Sequence, residues 1–204
     1  AQAAQKVGSR LIHISTDYVF SGNTDQPYTA MDAPNPSNVY GKSKLAGELL
    51  ALGLCEHTTI VRTSWVFSEH GRNFVPAVIN KLLDNQTVEI YENNIGTPTY
   101  AGALADYIIE LAETHNPTKV VHYCSNVVVN RAELADMIAH QLSLQTHNSY
   151  TIKVTAPISL SNSTHTVRPD YSALQSTQNT FDKEQTVTAL QQHILYIIQS
   201  ILNK

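Results

Sequence analysis

The sequence predicts an α/β fold, and two observations carry that prediction. Short, almost wholly apolar runs, of which residues 11–14 are the first, have the composition of strands buried on both faces of a sheet. Longer amphipathic segments with helical periodicity alternate with these runs along the chain. Such alternation is typical of a doubly wound parallel sheet of the Rossmann type. A chain of 204 residues suffices for one domain with a small annex.

The predicted strands are short and are bounded by turn residues. The segment SGNTDQPYTAMDAPNPSN, rich in Gly, Pro, Asn and Asp, is predicted to be a loop between the first strand and the next helix. Hydroxyl residues close the first two strands, at the sheet edge where α/β proteins bind ligands. The predicted strands are RLIHIS (10–15), TTIVRTSWVF (58–67), TVEIY (87–91), KVVHYCS (119–125) and YTIKVTAP (150–157).

The predicted helices follow from capping residues and apolar periodicity. Residues before Gly8 have the pattern of a helix end, with Gly8 as C-cap. Thr97 is predicted to cap the helix that follows GTPT. In the first long helix, VYGKSKLAGELLALGL (39–54), Leu45, Leu49 and Leu50 are predicted to form an apolar stripe, which on an amphipathic helix normally faces the core. The remaining predicted helices are NFVPAVINKLLDN (73–85), RAELADMIAHQLSL (131–144) and TVTALQQHILYIIQSIL (186–202).

Composition argues against several classes of function. The formal net charge of -4 gives no reason to expect nucleic-acid binding, and no stretch approaches the roughly 18 apolar residues that a membrane helix needs. Nine histidines show no HxH or HxxxH spacing, so no metal site is predicted. Cys55 and Cys124 form no CxxC motif, which favours buried free thiols and a cytoplasmic protein.

Three residues form a candidate catalytic group. Tyr40 and Lys44 are four positions apart near the start of a helix, so both lie on one face. An ammonium group near a phenol favours proton transfer between the phenol and a carbonyl or alcohol oxygen. Thr16 ends a predicted strand at the same sheet edge, where it can hydrogen-bond a substrate oxygen or the Tyr40 hydroxyl. The alternative is an exposed helix start with a solvated lysine.

The motifs around this group resemble a known family. Thr, Tyr and Lys together are similar to the triad of short-chain dehydrogenases/reductases. The chain as a whole resembles the dTDP-4-dehydrorhamnose reductase family, on the motifs STDYVFSG (15–22), PNPSNVYGKSKLAGE (34–48), RTSWVF (62–67), NFV (73–75), NIGTPT (94–99) and RPDYSAL (168–174).

The resemblance implies a two-part architecture. The chain would hold the C-terminal portion of a Rossmann-like doubly wound parallel sheet and a small substrate-binding domain. Residues 1–124 are expected to belong mainly to the first part and residues 125–204 mainly to the second, with the two interleaved. The family begins with a strand and a glycine-rich phosphate loop, and none of the eight glycines here forms such a loop. That segment of the family's cofactor domain is therefore expected to be absent.

The resemblance also implies roles for the triad. Tyr40 would donate the proton, with Lys44 and Thr16 completing the catalytic group. Lys44 would also hold the nicotinamide ribose, with Tyr40 and Ser15 as further cofactor contacts. The cofactor would be NADPH or NADH.

The substrate-binding residues implied by the resemblance are Thr16, Asp17, Tyr40, Trp65 and Arg168. Trp65 would pack against the sugar, since an indole offers a flat apolar face and one N–H donor. Each of the three new residues has a structural alternative. Asp17 can cap a loop, Trp65 can belong to the core, and Arg168 can form a surface ion pair instead of meeting a diphosphate.

The implied activity is reduction of the C4 ketone of dTDP-4-dehydro-6-deoxy-L-mannose to dTDP-L-rhamnose. One alternative is a non-catalytic relative such as the regulatory subunit of methionine adenosyltransferase, although Trp65 in the TSW motif argues against it. Another is a different sugar-nucleotide reductase with the same triad. A sugar nucleotide is the expected partner. The sequence does not decide whether the protein forms a homodimer.

Overall fold

The computed structural model describes residues 1–91, 94–115, 118–155, 168–178 and 183–203. Helices and strands alternate along most of the chain, which confirms the α/β prediction. The helices are α1 (Gln2–Lys6), α2 (Val39–Leu54), α3 (Phe74–Leu83), α4 (Ala101–Glu113), α5 (Arg131–Thr146) and α6 (Lys183–Leu202).

A three-stranded parallel sheet forms the centre of the fold. It consists of β1 (Leu11–Thr16), β2 (Thr58–Thr63) and β7 (Val120–His122), in the order β1-β2-β7. Every residue of the middle strand is buried, as expected for a strand covered on both faces. Thr16 lies beside Thr63 in the pairing of β1 with β2, so the two strands end together.

Three smaller strand pairs surround this sheet. Two of them are parallel, and the third, which pairs Ile95–Gly96 with Val129–Asn130, is antiparallel. The predicted strand at 150–157 is confirmed up to Thr155, and its last two residues lie outside the described residues. The pairs are β3 (Val66–Phe67) with β6 (Thr99–Tyr100), β4 (Val88–Tyr91) with β9 (Ile152–Thr155), and β5 (Ile95–Gly96) with β8 (Val129–Asn130).

The apolar side chains form separate cores. The largest core packs α3, α5 and α6 together with β4, and it draws on residues from 67 to 198. A second core covers one face of the sheet with α4, and a third lies around Phe20 and Leu174. The largest core combines residues on both sides of position 124. The domain boundary itself stays a prediction.

Two predicted details of the helices are wrong. Helix α2 exposes Leu49 and Leu50, and its buried residues are Gly41, Glu48 and Ala51. The helix approaches the sheet through small and charged side chains, so Leu49 and Leu50 face outward, whereas Leu45 is half-buried against the third core.

Thr97 does not cap α4. That helix begins at Ala101 after the short strand β6 and has no side-chain cap. Thr97 is instead fully buried, where its hydroxyl accepts a hydrogen bond from the Leu174 backbone N–H at 3.2 Å. A long-range contact has replaced the local one that the dipeptide Thr-Pro favours.

Both cysteines are buried and unpaired, as predicted. Within the part of the chain that the structure describes, no helix is both long enough and apolar enough to cross a bilayer.

Candidate active site

The carboxyl edge of the sheet is organised around one buried carboxylate. Asp17 follows β1, begins a short 3-10 helix and is only 3% exposed. Thr16 donates a hydrogen bond to its Oδ1 at 2.8 Å. Ser64, which follows β2, and Ser172 donate to its Oδ2 at 3.0 and 2.5 Å. Asp17 thereby joins the ends of two strands to the distant segment that contains Ser172.

Burial raises the pKa of Asp17, because a charged carboxylate loses its hydration there, while the hydrogen bonds from Ser172, Thr16 and Ser64 act in the opposite direction. Both carboxylate oxygens are occupied by these donors. The contact of Asp17 with the sugar stays a prediction. In the structure, the Asp17 carboxylate positions the side chains of Thr16, Ser64 and Ser172.

Thr16 lies where the sequence predicts, at the end of β1. Its hydroxyl proton points to Asp17, and its oxygen accepts from the Tyr18 backbone N–H at 3.3 Å. The Thr16 oxygen can therefore form a further hydrogen bond only as an acceptor. In this arrangement it can receive a hydrogen bond from a phenol or a sugar hydroxyl, and it has no proton to offer a ketone.

Tyr40 is presented by the first turn of α2. Asn38 caps this helix by accepting a hydrogen bond from the Gly41 N–H at 2.8 Å. A side chain at Gly41 would collide with the Tyr18 carbonyl, so only glycine lets the helix approach this closely. The Tyr40 ring meets the Tyr18 ring edge-on at 5.8 Å and is 50% exposed. Tyr40 therefore lies at the surface of the site.

Lys44 follows one turn later on the same helix. Its Nζ donates a hydrogen bond to the Ile14 carbonyl oxygen on β1, at 2.7 Å. This bond ties the ammonium group to the strand that ends in Thr16, while Tyr40 packs beside the residues that follow it. The structure thus brings the predicted triad to one edge of the sheet.

A buried ion pair anchors α2 to the middle strand. Arg62 on β2 binds Glu48 on α2 through its Nη2 at 2.7 Å and its Nε at 3.0 Å. Sequence reasoning missed this pair, although a lone arginine in the apolar run of β2 was a signal for it. Since Glu48 lies four residues after Lys44, the pair fixes the helix that carries Tyr40 and Lys44.

A row of buried polar groups crosses the sheet beneath α2. Ser15, Arg62 and His122 are neighbours in the strand register. Within the described part of the chain, Ser15 Oγ, Arg62 Nη1 and His122 Nε2 have no hydrogen-bond partner. Burial, with a further contribution from the Arg62 charge, lowers the pKa of His122 to about 4. His122 is therefore neutral at neutral pH.

Trp65 occupies a strained position after β2. Its φ of 45° is in the left-handed region, which bulky side chains rarely adopt. The ring lies so close to Gly96 that any side chain there would collide with it. The Arg131 guanidinium lies over the indole at 3.6 Å from the ring centroid. At least one face of the indole is thus covered, so a sugar could not stack on that face without moving Arg131.

Arg168 is exposed, and its role in substrate binding stays a prediction. It lines a cavity of about 320 Å³ together with polar residues such as Ser21 and Asn35. The segment that follows is docked on β5, where the Ile95 N–H donates to the Asp170 carbonyl at 2.8 Å. The backbone that follows Arg168 is therefore fixed beside the site.

The described residues contain no group of three or more His, Cys, Asp or Glu side chains that could hold a metal ion.

Comparison with known proteins places the chain in a family. Residues 1–202 match the model of the RmlD substrate binding domain. The spore coat polysaccharide biosynthesis protein SpsK of Bacillus subtilis (strain 168) is 36% identical over 146 residues, which are 72% of this chain and 51% of that protein. The dTDP-4-dehydrorhamnose reductase of Escherichia coli (strain K12) is 43% identical over 106 residues, 52% of this chain and 36% of that protein.

A solved structure agrees with these matches. The dTDP-4-dehydrorhamnose reductase of Bacillus anthracis str. Ames, determined in complex with NADP, superposes with a TM-score of 0.75 at 31% sequence identity. The superposition covers 86% of this chain and 60% of that one. The chain spans about half or less of the length of the two curated relatives named above. Its match over residues 1–202 shows that the chain belongs to the RmlD substrate-binding domain family.

Proposed function

We propose that this chain is the catalytic and sugar-nucleotide-binding part of a dTDP-4-dehydrorhamnose reductase that uses NADPH or NADH. The observation that carries the proposal is the convergence of Thr16, Tyr40 and Lys44 at the carboxyl edge of the parallel sheet. The relatives of that name and the Bacillus anthracis structure with NADP support it.

The residues at this edge fit a nicotinamide riboside. Lys44 uses one N–H for the Ile14 carbonyl, which leaves two for ribose hydroxyls. Ser15 Oγ, a predicted cofactor contact, is buried without a partner among the described residues. Lys44 and Ser15 would therefore hold the nicotinamide end of the cofactor.

When bound, a reduced nicotinamide supplies the hydride to the ketone carbon. Tyr40 donates its hydroxyl proton to the ketone oxygen, which becomes the alcohol. Lys44, one turn away, provides a positive charge that stabilises the resulting phenolate. Thr16 Oγ1 accepts a hydrogen bond from the Tyr40 hydroxyl or a sugar hydroxyl and so orients the reacting groups, while Asp17 holds the Thr16 side chain in place.

The reducing cytoplasm is the proposed location, because two buried free thiols suit it. A homodimer stays a prediction, which light scattering of the purified protein would test.

The test is a chimaera in which this chain follows the glycine-rich nucleotide-binding segment of the Bacillus anthracis reductase. With NADPH and dTDP-4-dehydro-6-deoxy-L-mannose, we expect loss of NADPH absorbance and formation of dTDP-L-rhamnose, identified by mass spectrometry and NMR. Turnover of another dTDP-4-keto sugar alone would indicate a different reductase. Tight binding of both ligands without turnover would indicate a non-catalytic relative, and either result would contradict the proposal.

A further inference from the structure

Tyr28, in the loop between β1 and α2, joins this loop to a distant part of the chain. Its ring stacks on the Phe20 ring, with the centroids 4.2 Å apart and the planes within 5° of parallel. The Tyr28 N–H donates to the Ala173 carbonyl at 2.8 Å, and the Gln175 N–H donates to the Tyr28 carbonyl at 2.9 Å. The Tyr28 backbone is thereby paired, as a short parallel bridge, with the segment 173–175.

The backbone on both sides of this bridge is fixed by further contacts. The Tyr28 carbonyl oxygen also accepts a hydrogen bond from Nδ1 of His122, a fully buried residue of β7, at 3.1 Å. The Asp170 carbonyl accepts a hydrogen bond from the Ile95 N–H on β5 at 2.8 Å. The Tyr28 backbone and the segment around Asp170 are therefore held in place without any contribution from the Tyr28 hydroxyl.

The Tyr28 hydroxyl makes a contact of a different kind, to the wall of a cavity. The cavity of about 320 Å³ that Arg168 lines is bounded by three segments, residues 21–23, 35–37 and 168–170. In the first segment, the Gly22 N–H donates to the Tyr28 hydroxyl oxygen at 3.0 Å. Within the part of the chain that the structure describes, the only other hydrogen bond of this segment is local, from the Asn23 N–H to Ser21 Oγ. The Tyr28 hydroxyl therefore ties the first segment to the fixed part of the molecule.

The first and third segments of the cavity wall approach each other closely. Gly22 has a φ of 87°, in the left-handed region that favours glycine. A Cβ at Gly22 would lie 2.8 Å from the Pro169 Cβ, which is closer than such atoms can approach. The second segment, 35–37, leads into the first turn of α2, which presents Tyr40. The cavity thus borders the proposed proton donor, and its shape depends on where Gly22 is held.

We propose that Tyr28 is a positioning residue, whose hydroxyl holds the first segment against the third and so fixes the cavity beside Tyr40 before a sugar nucleotide binds. The inference rests on the proposed function, which supplies a sugar nucleotide at this edge. A cavity that is already assembled binds its ligand with a smaller loss of conformational entropy than one that must be ordered on binding. Because Tyr28 acts through the Gly22 backbone, its loss should affect substrate affinity and not the chemical step.

The first test is the kinetics of Tyr28→Phe in the chimaera described above. This variant keeps the ring and the backbone bonds and removes only the hydroxyl. We expect the KM for dTDP-4-dehydro-6-deoxy-L-mannose to rise about three- to tenfold, the range for one lost hydrogen bond, with little change in kcat or in the KM for NADPH. Tyr107→Phe is the matched control, because Tyr107 on α4 also stacks on another ring, that of Tyr123 at 4.5 Å, and it should behave like the wild type.

The second test is amide hydrogen exchange, measured by NMR on the 204-residue chain. In Tyr28→Phe the Gly22 N–H should exchange faster than in the wild type, because it has lost its acceptor. The Gln175 N–H, which is bonded to the Tyr28 carbonyl, should keep its wild-type rate. A Gly22 N–H that exchanges at the rate of an unprotected amide in the wild type would overturn the inference.

The outcomes separate this inference from the proposed function. If the chimaera is active, support requires both the higher KM and the faster Gly22 exchange in Tyr28→Phe. An unchanged KM, or a fall in kcat alone as expected of a purely structural role, would overturn the inference and leave the proposed function intact. An inactive wild-type chimaera would contradict the proposed function, and the Gly22 exchange rate alone would then decide whether Tyr28 fixes the cavity wall.

Discussion

Two regions of this molecule are held together by different interactions. The catalytic edge, which we define as Thr16, Asp17, Ser64 and Ser172, is buried and polar, and its hydroxyls all bind one carboxylate. The helical core, formed by α3, α5 and α6, is apolar and its central side chains are fully buried.

The difference separates orientation from stability. Hydrogen bonds act along fixed directions, so the catalytic edge specifies where each oxygen points, although each bond contributes only about 1 kcal/mol net. Apolar burial has no direction, but it supplies most of the favourable free energy of folding. A second substitution should therefore be able to rescue the loss of a polar partner, but not the loss of apolar burial.

The largest effect is expected at the ion pair that fixes α2. Glu48→Leu leaves the buried Arg62 charge without a partner and should lower the free energy of unfolding by about 3–5 kcal/mol in urea denaturation. The double variant Glu48→Leu/Arg62→Met replaces both charges with apolar groups and should recover most of that loss. If the double variant were as unstable as Glu48→Leu, the ion pair would itself contribute net stability, and this prediction would be wrong.

A cavity in the helical core should have a comparable effect without any such rescue. Ile138→Ala removes a fully buried side chain from α5 and should cost about 2–5 kcal/mol of unfolding free energy. Leu144→Ala, an exposed position on the same helix, is the control and should change stability by less than about 0.5 kcal/mol. Similar losses in both variants would contradict the assignment of the core.

A pH effect is expected at His122. Its folded pKa of about 4 lies below the ordinary value of 6.5, so the unfolded chain binds more protons between these values. Stability contributed by neutral His122 is present above pH 6.5 and is lost as the pH falls toward 4, by about 2 kcal/mol between pH 7 and 5.

The measurement is the difference in unfolding free energy between pH 7 and pH 5. His122→Asn should reduce that difference by about 2 kcal/mol, whereas replacement of the exposed His57 should leave it unchanged. Asp17, whose pKa is raised, acts in the opposite direction but is present in every variant. An unchanged pH dependence in His122→Asn would contradict the buried neutral state.

The smallest effect is expected within the catalytic edge. Ser172→Ala removes one of three hydroxyl donors to Asp17 and should cost about 1 kcal/mol of unfolding free energy. Ser143→Ala removes a hydroxyl that bonds back within its own helix and should cost less. Thermal melts of both variants would check this order, and the reverse order would mean that the network around Asp17 contributes nothing.

Local patterns in the sequence were enough to predict the alternating elements and where Thr16, Tyr40 and Lys44 lie in the fold, while their catalytic roles stay predictions. Strand composition is visible in short runs, and Tyr40 and Lys44 lie on the same side of α2 because residues four apart share a helix face. The structure places Thr16 at the predicted sheet edge because parallel strands end together.

Those local patterns could not predict contacts between residues that are far apart in the chain. Ser172 and Asp17 are separated by 155 positions, and no local signal connects them. Thr97 lost its predicted capping role to a contact with Leu174 for the same reason. The buried face of α2 was mispredicted because its contact with the sheet depends on the ion pair between Glu48 and Arg62. Apolar periodicity in the sequence does not predict such a pair.

The central claim is that Tyr40 donates the proton, and the most direct test is Tyr40→Phe in the active chimaera. The expected result is a fall in kcat of about 10²-fold or more, with little change in sugar-nucleotide affinity measured by calorimetry. Tyr196→Phe is the matched control, because Tyr196 is 53% exposed and Tyr40 50%, and it should retain normal turnover. Near-normal kcat in Tyr40→Phe would contradict the account.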